Sequence, residues 1–135
     1  VNYFLDLLSA CHVAEHRSTI SAFFADWVSA YLSSNVVDAV VGPKQGNTLF
    51  VKAVADKLGK KSAFVRGNIL FGRWLEGDIR SGDKVLLIDD VASEGEMLVD
   101  SIESLRESGI LVDHAYVLID RAEGDAKRQF QAAGI

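Results

Sequence analysis

Four apolar residues, Val85-Leu86-Leu87-Ile88, run directly into two carboxylates, Asp89-Asp90. A small loop with a glycine follows, Val91-Ala92-Ser93-Glu94-Gly95-Glu96-Met97, and then a helical pattern. An α/β domain builds ligand sites in this order. The strand carries its acids to the C-terminal edge of a sheet, and the turn offers backbone N–H groups to an anion at the next helix start. Two glutamates, Glu94 and Glu96, stand in that turn.

The rest of the chain repeats the alternation. Apolar residues recur at helical spacing over residues 3–13 (Phe4, Leu7, Leu8, Cys11) and again at Ile20, Phe23, Phe24, Trp27, Val28, Tyr31 and Leu32. Ser18 or Thr19 is in place to cap the second helix. Residues 36–41 form a β-branched run ending in Gly42-Pro43, which reads as a buried strand and a loop. A helix with Leu49, Phe50, Ala53, Val54 and Leu58 on one side stops at Gly59. A short strand near 62–65, a glycine-punctuated connection, the strand at 85–88, a helix over 98–106 and a strand over 115–119 complete the pattern. The fold expected is α/β: a parallel sheet of about four or five strands, flanked by helices on both faces. Loops 42–47, 89–97 and 120–125 then meet at the carboxyl edge.

At 135 residues the chain is read as one domain, with N-terminal helices over 1–33 and a core over 34–135. Nearly half its residues are apolar and evenly spread, which excludes a disordered chain. A net charge of −5 without a basic stripe argues against nucleic acid as the partner. No apolar run approaches the ~20 residues of a membrane span, and no signal-peptide pattern opens the chain, so no membrane partner is expected. The lone Cys11 forbids an internal disulfide, fits a reducing cytoplasm and lies on the apolar side of its helix.

Adjacent acids after a buried strand are unsuited to a core, because desolvating an unpaired carboxylate costs several kcal/mol. Asp89 and Asp90 suit ribose hydroxyls, or Mg²⁺ held through water; the plain alternative is a turn that caps the next helix. His12, His16 and His114 lack metal-ligand spacing and read as structural.

The stretch over 85–97 resembles the signature of the type I phosphoribosyltransferases, and its neighbours resemble the orotate branch. Val41-Gly42-Pro43-Lys44-Gln45-Gly46 resembles the pyrophosphate loop, Phe64-Val65-Arg66 the start of the catalytic loop and Leu75-Glu76-Gly77 the return from it. Val117-Leu118-Ile119-Asp120-Arg121-Ala122-Glu123-Gly124 resembles the closing strand and its Asp-Arg turn. The resemblance covers about residues 36–135. It implies a phosphoribosyltransferase-type fold and Mg²⁺-dependent transfer of phosphoribose from phosphoribosyl pyrophosphate to a pyrimidine such as orotate. It further implies that Asp89 and Asp90 hold the ribose, Ser93, Glu94 and Gly95 line the 5′-phosphate loop, Gly42, Lys44, Gly46 and Arg66 handle pyrophosphate, and Arg121 faces the base. A homodimer sharing the catalytic loop is implied as well.

The chain departs from that pattern in three places. Residues 66–76 contain Arg66 and Arg73 but no lysine or histidine; Ile69, Leu70, Phe71 and Trp74 stand there instead and read as a packed connection. Only Ala14-Glu15-His16-Arg17 separates the first two helical patterns, which predicts a reduced hood over the base. Glu94 and Glu96 fall in the phosphate loop, where a carboxylate about 5 Å from a phosphate dianion costs roughly 2–7 kcal/mol. Ser93-Glu94-Gly95-Glu96 also fits a Ser-x-x-Glu capping box, in which the protein's own carboxylate fills the anion site. Two functions stay open on these residues: the transferase, and a catalytically impaired nucleotide-binding or regulatory protein on the same fold.

Overall fold

The structure is a computed structural model, described here for residues 7–32, 37–44, 46–66, 74–92, 95–121 and 124–135. Helices α1 (Leu7–His12) and α2 (Ala14–Tyr31) precede β1 (Ala39–Pro43), α3 (Thr48–Leu58), β2 (Lys61–Val65) and β3 (Leu75–Glu76). Then come β4 (Lys84–Ala92), α4 (Glu96–Glu107), β5 (Leu111–Asp120) and α5 (Ala126–Ala132). The five strands form one sheet in the order β3-β2-β1-β4-β5. All neighbours are parallel except β3, which pairs antiparallel with β2 at Phe64↔Glu76 and Val65↔Leu75.

Alternation along the central strands divides the core in two. Val40, Leu86 and Ile88 face α2 and α3, where they meet Phe24, Val28, Phe50, Val51 and Val54. Ala39, Val41, Val85 and Leu87 face α4, where they meet Leu98, Ile102 and Leu105. Side chains on successive strand positions point to opposite faces, so an uninterrupted apolar run fills both layers at once. Each fully buried Leu or Ile contributes about 1.5–3 kcal/mol, and Leu86, Leu87 and Ile88 are all 0% exposed. The same run therefore anchors the strand that carries the acids.

Helix α3 stops as expected at Gly59, left-handed at φ 64°, whose N–H reaches the Ala55 and Asp56 carbonyls. Cys11 packs in the core beside α2.

Several expectations need correction. Helix α2 begins at Ala14, so Ala14–Arg17 is its first turn and only Val13 separates it from α1. Thr19 then lies inside α2 and donates to the Glu15 carbonyl at 3.0 Å, so neither Ser18 nor Thr19 caps the helix. Phe24 and Val28 are buried, but Phe23 lies outside the core at 67% exposure. Strand β1 starts at Ala39 rather than 36, and residues 33–36 lie outside the described residues. Strand β4 runs past its apolar segment to Ala92, because the ladder with β5 continues through Asp89↔Val117, Val91↔Ile119 and Ala92↔Asp120. The two acids thus sit within the strand end, not in the turn after it. Among the described residues no helix is long and apolar enough to cross a membrane.

Candidate active site

At the carboxyl end of β4, Asp89 is held from two sides. Its Oδ1 accepts from Asn47 Nδ2 at 2.6 Å and from the Asp90 amide at 2.9 Å. Asp90 Oδ1 in turn accepts from the Val91 amide at 2.9 Å. Burial first, and the Asp90 charge second, push the Asp89 carboxyl from an ordinary 3.8 up to about 7; the Asn47 hydrogen bond pulls the other way. The Asp90 charge also raises the buried Cys11 thiol, after burial itself, which brings the end of α1 within electrostatic reach of the β4 tip.

Asn47 is the site residue that composition and motif did not single out. It is 3% exposed and stands at the N-cap of α3, yet its side chain makes no cap hydrogen bond. Its Nδ2 is spent on Asp89, and its Oδ1 has no partner among the described residues. The available signal was an asparagine just before an apolar helix, and that signal points to a cap. Gly42 explains how β1, α3 and β4 come so close. A Cβ there would lie 2.4 Å from Val51 Cγ2, 3.0 Å from the Ile88 carbonyl oxygen and 3.5 Å from Asn47 Nδ2. Gly46, at φ 89°, turns the chain into α3.

The two loop cations meet on the next strands. Gly42, Phe64 and Glu76 are register partners across β1, β2 and β3. Lys44 and Arg66 each follow their strand's member of that row by two positions, and period-two alternation keeps them on its face. There Glu76 bridges them, with Oε2 on the Lys44 ammonium and Oε1 on the Arg66 guanidinium. The Lys44 hydrogen bond foremost, with the Arg66 charge, holds the Glu76 carboxyl below the usual range. Backbone bonds fix both bases: the Lys44 amide donates to the Val65 carbonyl and the Arg66 amide to the Trp74 carbonyl, each at 2.7 Å. Trp74 packs on the α4-side core as expected for a packed connection, while Ile69, Leu70 and Phe71 lie outside the described residues.

The third loop ends at Gly95, the N-cap of α4, left-handed at φ 83°. Its carbonyl accepts from the Leu98 and Val99 amides at 3.1 Å. Glu96 is thus the first helical residue and exposed, two positions short of the third helical position that the Ser93 capping box requires. The left-handed glycine thus starts the helix two residues later than that box requires. Ser93 and Glu94 themselves lie outside the described residues. A cavity of about 220 Å³ lined by Asp89, Val91, Gly95, Glu96 and Met97 joins the acid to the helix start. Gly95 also packs tightly on α5, where an added Cβ would lie 2.9 Å from Ala126 Cβ.

Arg121 follows the last residue of β5, and its amide donates to the Ala92 carbonyl at 2.9 Å, so it stands beside the end of β4. All three loops therefore reach one sheet edge. For a divalent ion, Asp89 and Asp90 supply the hard oxygen donors that Mg²⁺ takes through water. Among the described residues no group of three or more His, Cys, Asp or Glu is arranged to hold a metal.

The strand order, the acid-tipped β4 and the loops around it define a phosphoribosyltransferase-type fold. The crystal structure of orotate phosphoribosyltransferase from Aeropyrum pernix matches it with a TM-score of 0.79 at 28% identity, over 96% of this chain and 73% of that one. An orotate phosphoribosyltransferase of Cenarchaeum symbiosum is 33% identical over 137 residues, 98% of this chain and 68% of the relative. One of Sulfolobus acidocaldarius is 32% identical over 136 residues, 98% of this chain and 66% of the relative. No protein-family model matches. The chain belongs to the orotate phosphoribosyltransferase family, and it spans about two thirds of the length of these relatives.

Proposed function

We propose that the chain transfers phosphoribose from phosphoribosyl pyrophosphate to a pyrimidine, orotate in the first instance, with release of pyrophosphate. One observation carries the reading: a carboxylate held by a buried asparagine, a pair of cations and a helix N-terminus share one sheet edge. Those are the parts a doubly phosphorylated sugar needs, with one anion at each end and hydroxyls between.

In this reading Asp89 and Asp90 accept from the ribose hydroxyls and stabilise the positive charge that develops at the anomeric carbon. Gly95 and the first amides of α4, with Ser93 and Glu94 in the same loop, surround the 5′-phosphate. Gly42 and Gly46 shape the pyrophosphate loop, and Lys44 and Arg66 neutralise the leaving group. Preorganised charge of this kind is usually the largest catalytic term. Arg121 faces the base. Bound Mg²⁺ would shield the pyrophosphate charge beside Asp89 and Asp90. A homodimer and a cytoplasmic location belong to the same proposal.

A second reading, a nucleotide-binding protein without turnover, is favoured by a specific observation. Both loop cations are already paired with Glu76, and residues 67–75 add Arg73 but no lysine or histidine. The test is release of pyrophosphate from phosphoribosyl pyrophosphate and Mg²⁺, with and without orotate. Orotate-dependent release that falls a hundredfold or more in Arg66→Ala supports the transferase. Binding of phosphoribosyl pyrophosphate without any release supports the second reading and refutes the first.

A further inference from the structure

Glu76 stands apart from the residues that would touch substrate. It is placed on β3 at the edge of the sheet, yet its two oxygens go to two cations from two different loops, 32 and 10 positions away in sequence. One carboxylate oxygen per cation is the arrangement in which a bridging diphosphate would meet the same pair. The contact is also accessible. The side chains of Lys44, Glu76 and Arg66 are 35%, 31% and 50% exposed, so water can replace the carboxylate as it leaves. Exposed pairs of this kind are individually weak, and a ligand with several negative charges outcompetes a single carboxylate for them.

We infer that Glu76 is an internal stand-in for pyrophosphate: it holds Lys44 and Arg66 together in the empty site and must be displaced when the diphosphate binds. The inference rests on the assignment of Lys44 and Arg66 to the pyrophosphate site. Its consequence is a set point for affinity. The carboxylate keeps two like charges from repelling each other while the site is empty, and it competes with the diphosphate for both. Product pyrophosphate then leaves against a waiting replacement.

The test is calorimetric titration with inorganic pyrophosphate of wild type, Glu76→Gln, Glu76→Ala and the double variant Lys44→Met/Glu76→Gln, with thermal melts to confirm folding. Displacement requires Glu76→Gln and Glu76→Ala to bind pyrophosphate about tenfold more tightly than wild type, and the gain to vanish in the double variant. Equal or weaker binding by both single variants overturns it, because Glu76 would then organise the cations for the ligand instead of competing with it. No pyrophosphate binding by any variant overturns it as well. A parallel titration with phosphoribosyl pyrophosphate and Mg²⁺ separates this from the function itself. If wild type binds that ligand and Glu76→Gln leaves the affinity unchanged, the stand-in falls while the ligand assignment of the proposed function survives. If no variant binds it, the proposed function falls too.

Discussion

Replacing Asp89 with asparagine removes a charge that the fold buries at a cost. The native carboxyl titrates at about 7 against 3.8 when unperturbed, a rise of roughly three pH units, or ~4 kcal/mol at 1.36 kcal/mol per unit. The sign follows from proton counting. Between 3.8 and about 7 the native state keeps a proton that the unfolded chain has lost, so stability falls as pH rises through that window. Below it both states are protonated, above it both are ionised, and the slope vanishes. From pH 5 to pH 8 this one group should therefore remove about 2–3 kcal/mol from wild type. Asparagine is neutral throughout, and its carbonyl can still accept from Asn47 Nδ2. The stability of Asp89→Asn relative to wild type should accordingly improve by about 2–3 kcal/mol between pH 5 and pH 8. Urea unfolding of both proteins at each pH, with unchanged slopes, measures the difference. A difference independent of pH would refute the raised pKa and the burial from which it comes. Loss of ligand binding alongside a gain in stability would mark Asp89 as kept for function.

Three other perturbations test the scaffold around it. Gly42→Ala sets a methyl 2.4 Å from Val51 Cγ2 and should cost about 1–3 kcal/mol of stability, seen as a lower urea midpoint; an unchanged midpoint would mean that β1, α3 and β4 are not so closely packed. Asn47→Ala strips a donor from a part-buried carboxylate and should cost about 1.5–3 kcal/mol at pH 8. It should cost clearly less at pH 5, where Asp89 is protonated, and an equal cost at both would assign Asn47 to helix capping. Glu96→Gly should change affinity for inorganic phosphate by less than about threefold, since its side chain is exposed at the first turn of α4; a large gain would restore the self-filled anion site.

The fold was legible where hydrophobicity and hydrogen bonding agree. The run Val85–Ile88 announced a strand covered on both faces, and the Leu49–Leu58 pattern with Gly59 announced a helix and its end. They part company at Asp89. The apolar signal stops there, but the ladder with β5 continues, and a ladder leaves no trace in side-chain polarity. Helix α5 was missed for a related reason: it has seven residues and only Ala126 fully buried, too little for a periodic signal. The acids themselves were visible as a pair out of place in a core. Their partners were not. Asn47 meets Asp89 across 42 positions and Glu76 meets Lys44 across 32. Contacts of that range are made by the sheet order, which local spacing does not encode.

The most direct test of the site is calorimetric titration of wild type and Asp89→Asn with phosphoribosyl pyrophosphate in the presence of Mg²⁺. A ligand held between the Lys44–Arg66 pair and the start of α4, with its ribose on Asp89, should bind wild type at micromolar affinity and Asp89→Asn at least tenfold more weakly. No heat from wild type, or the same affinity in both proteins, would contradict it.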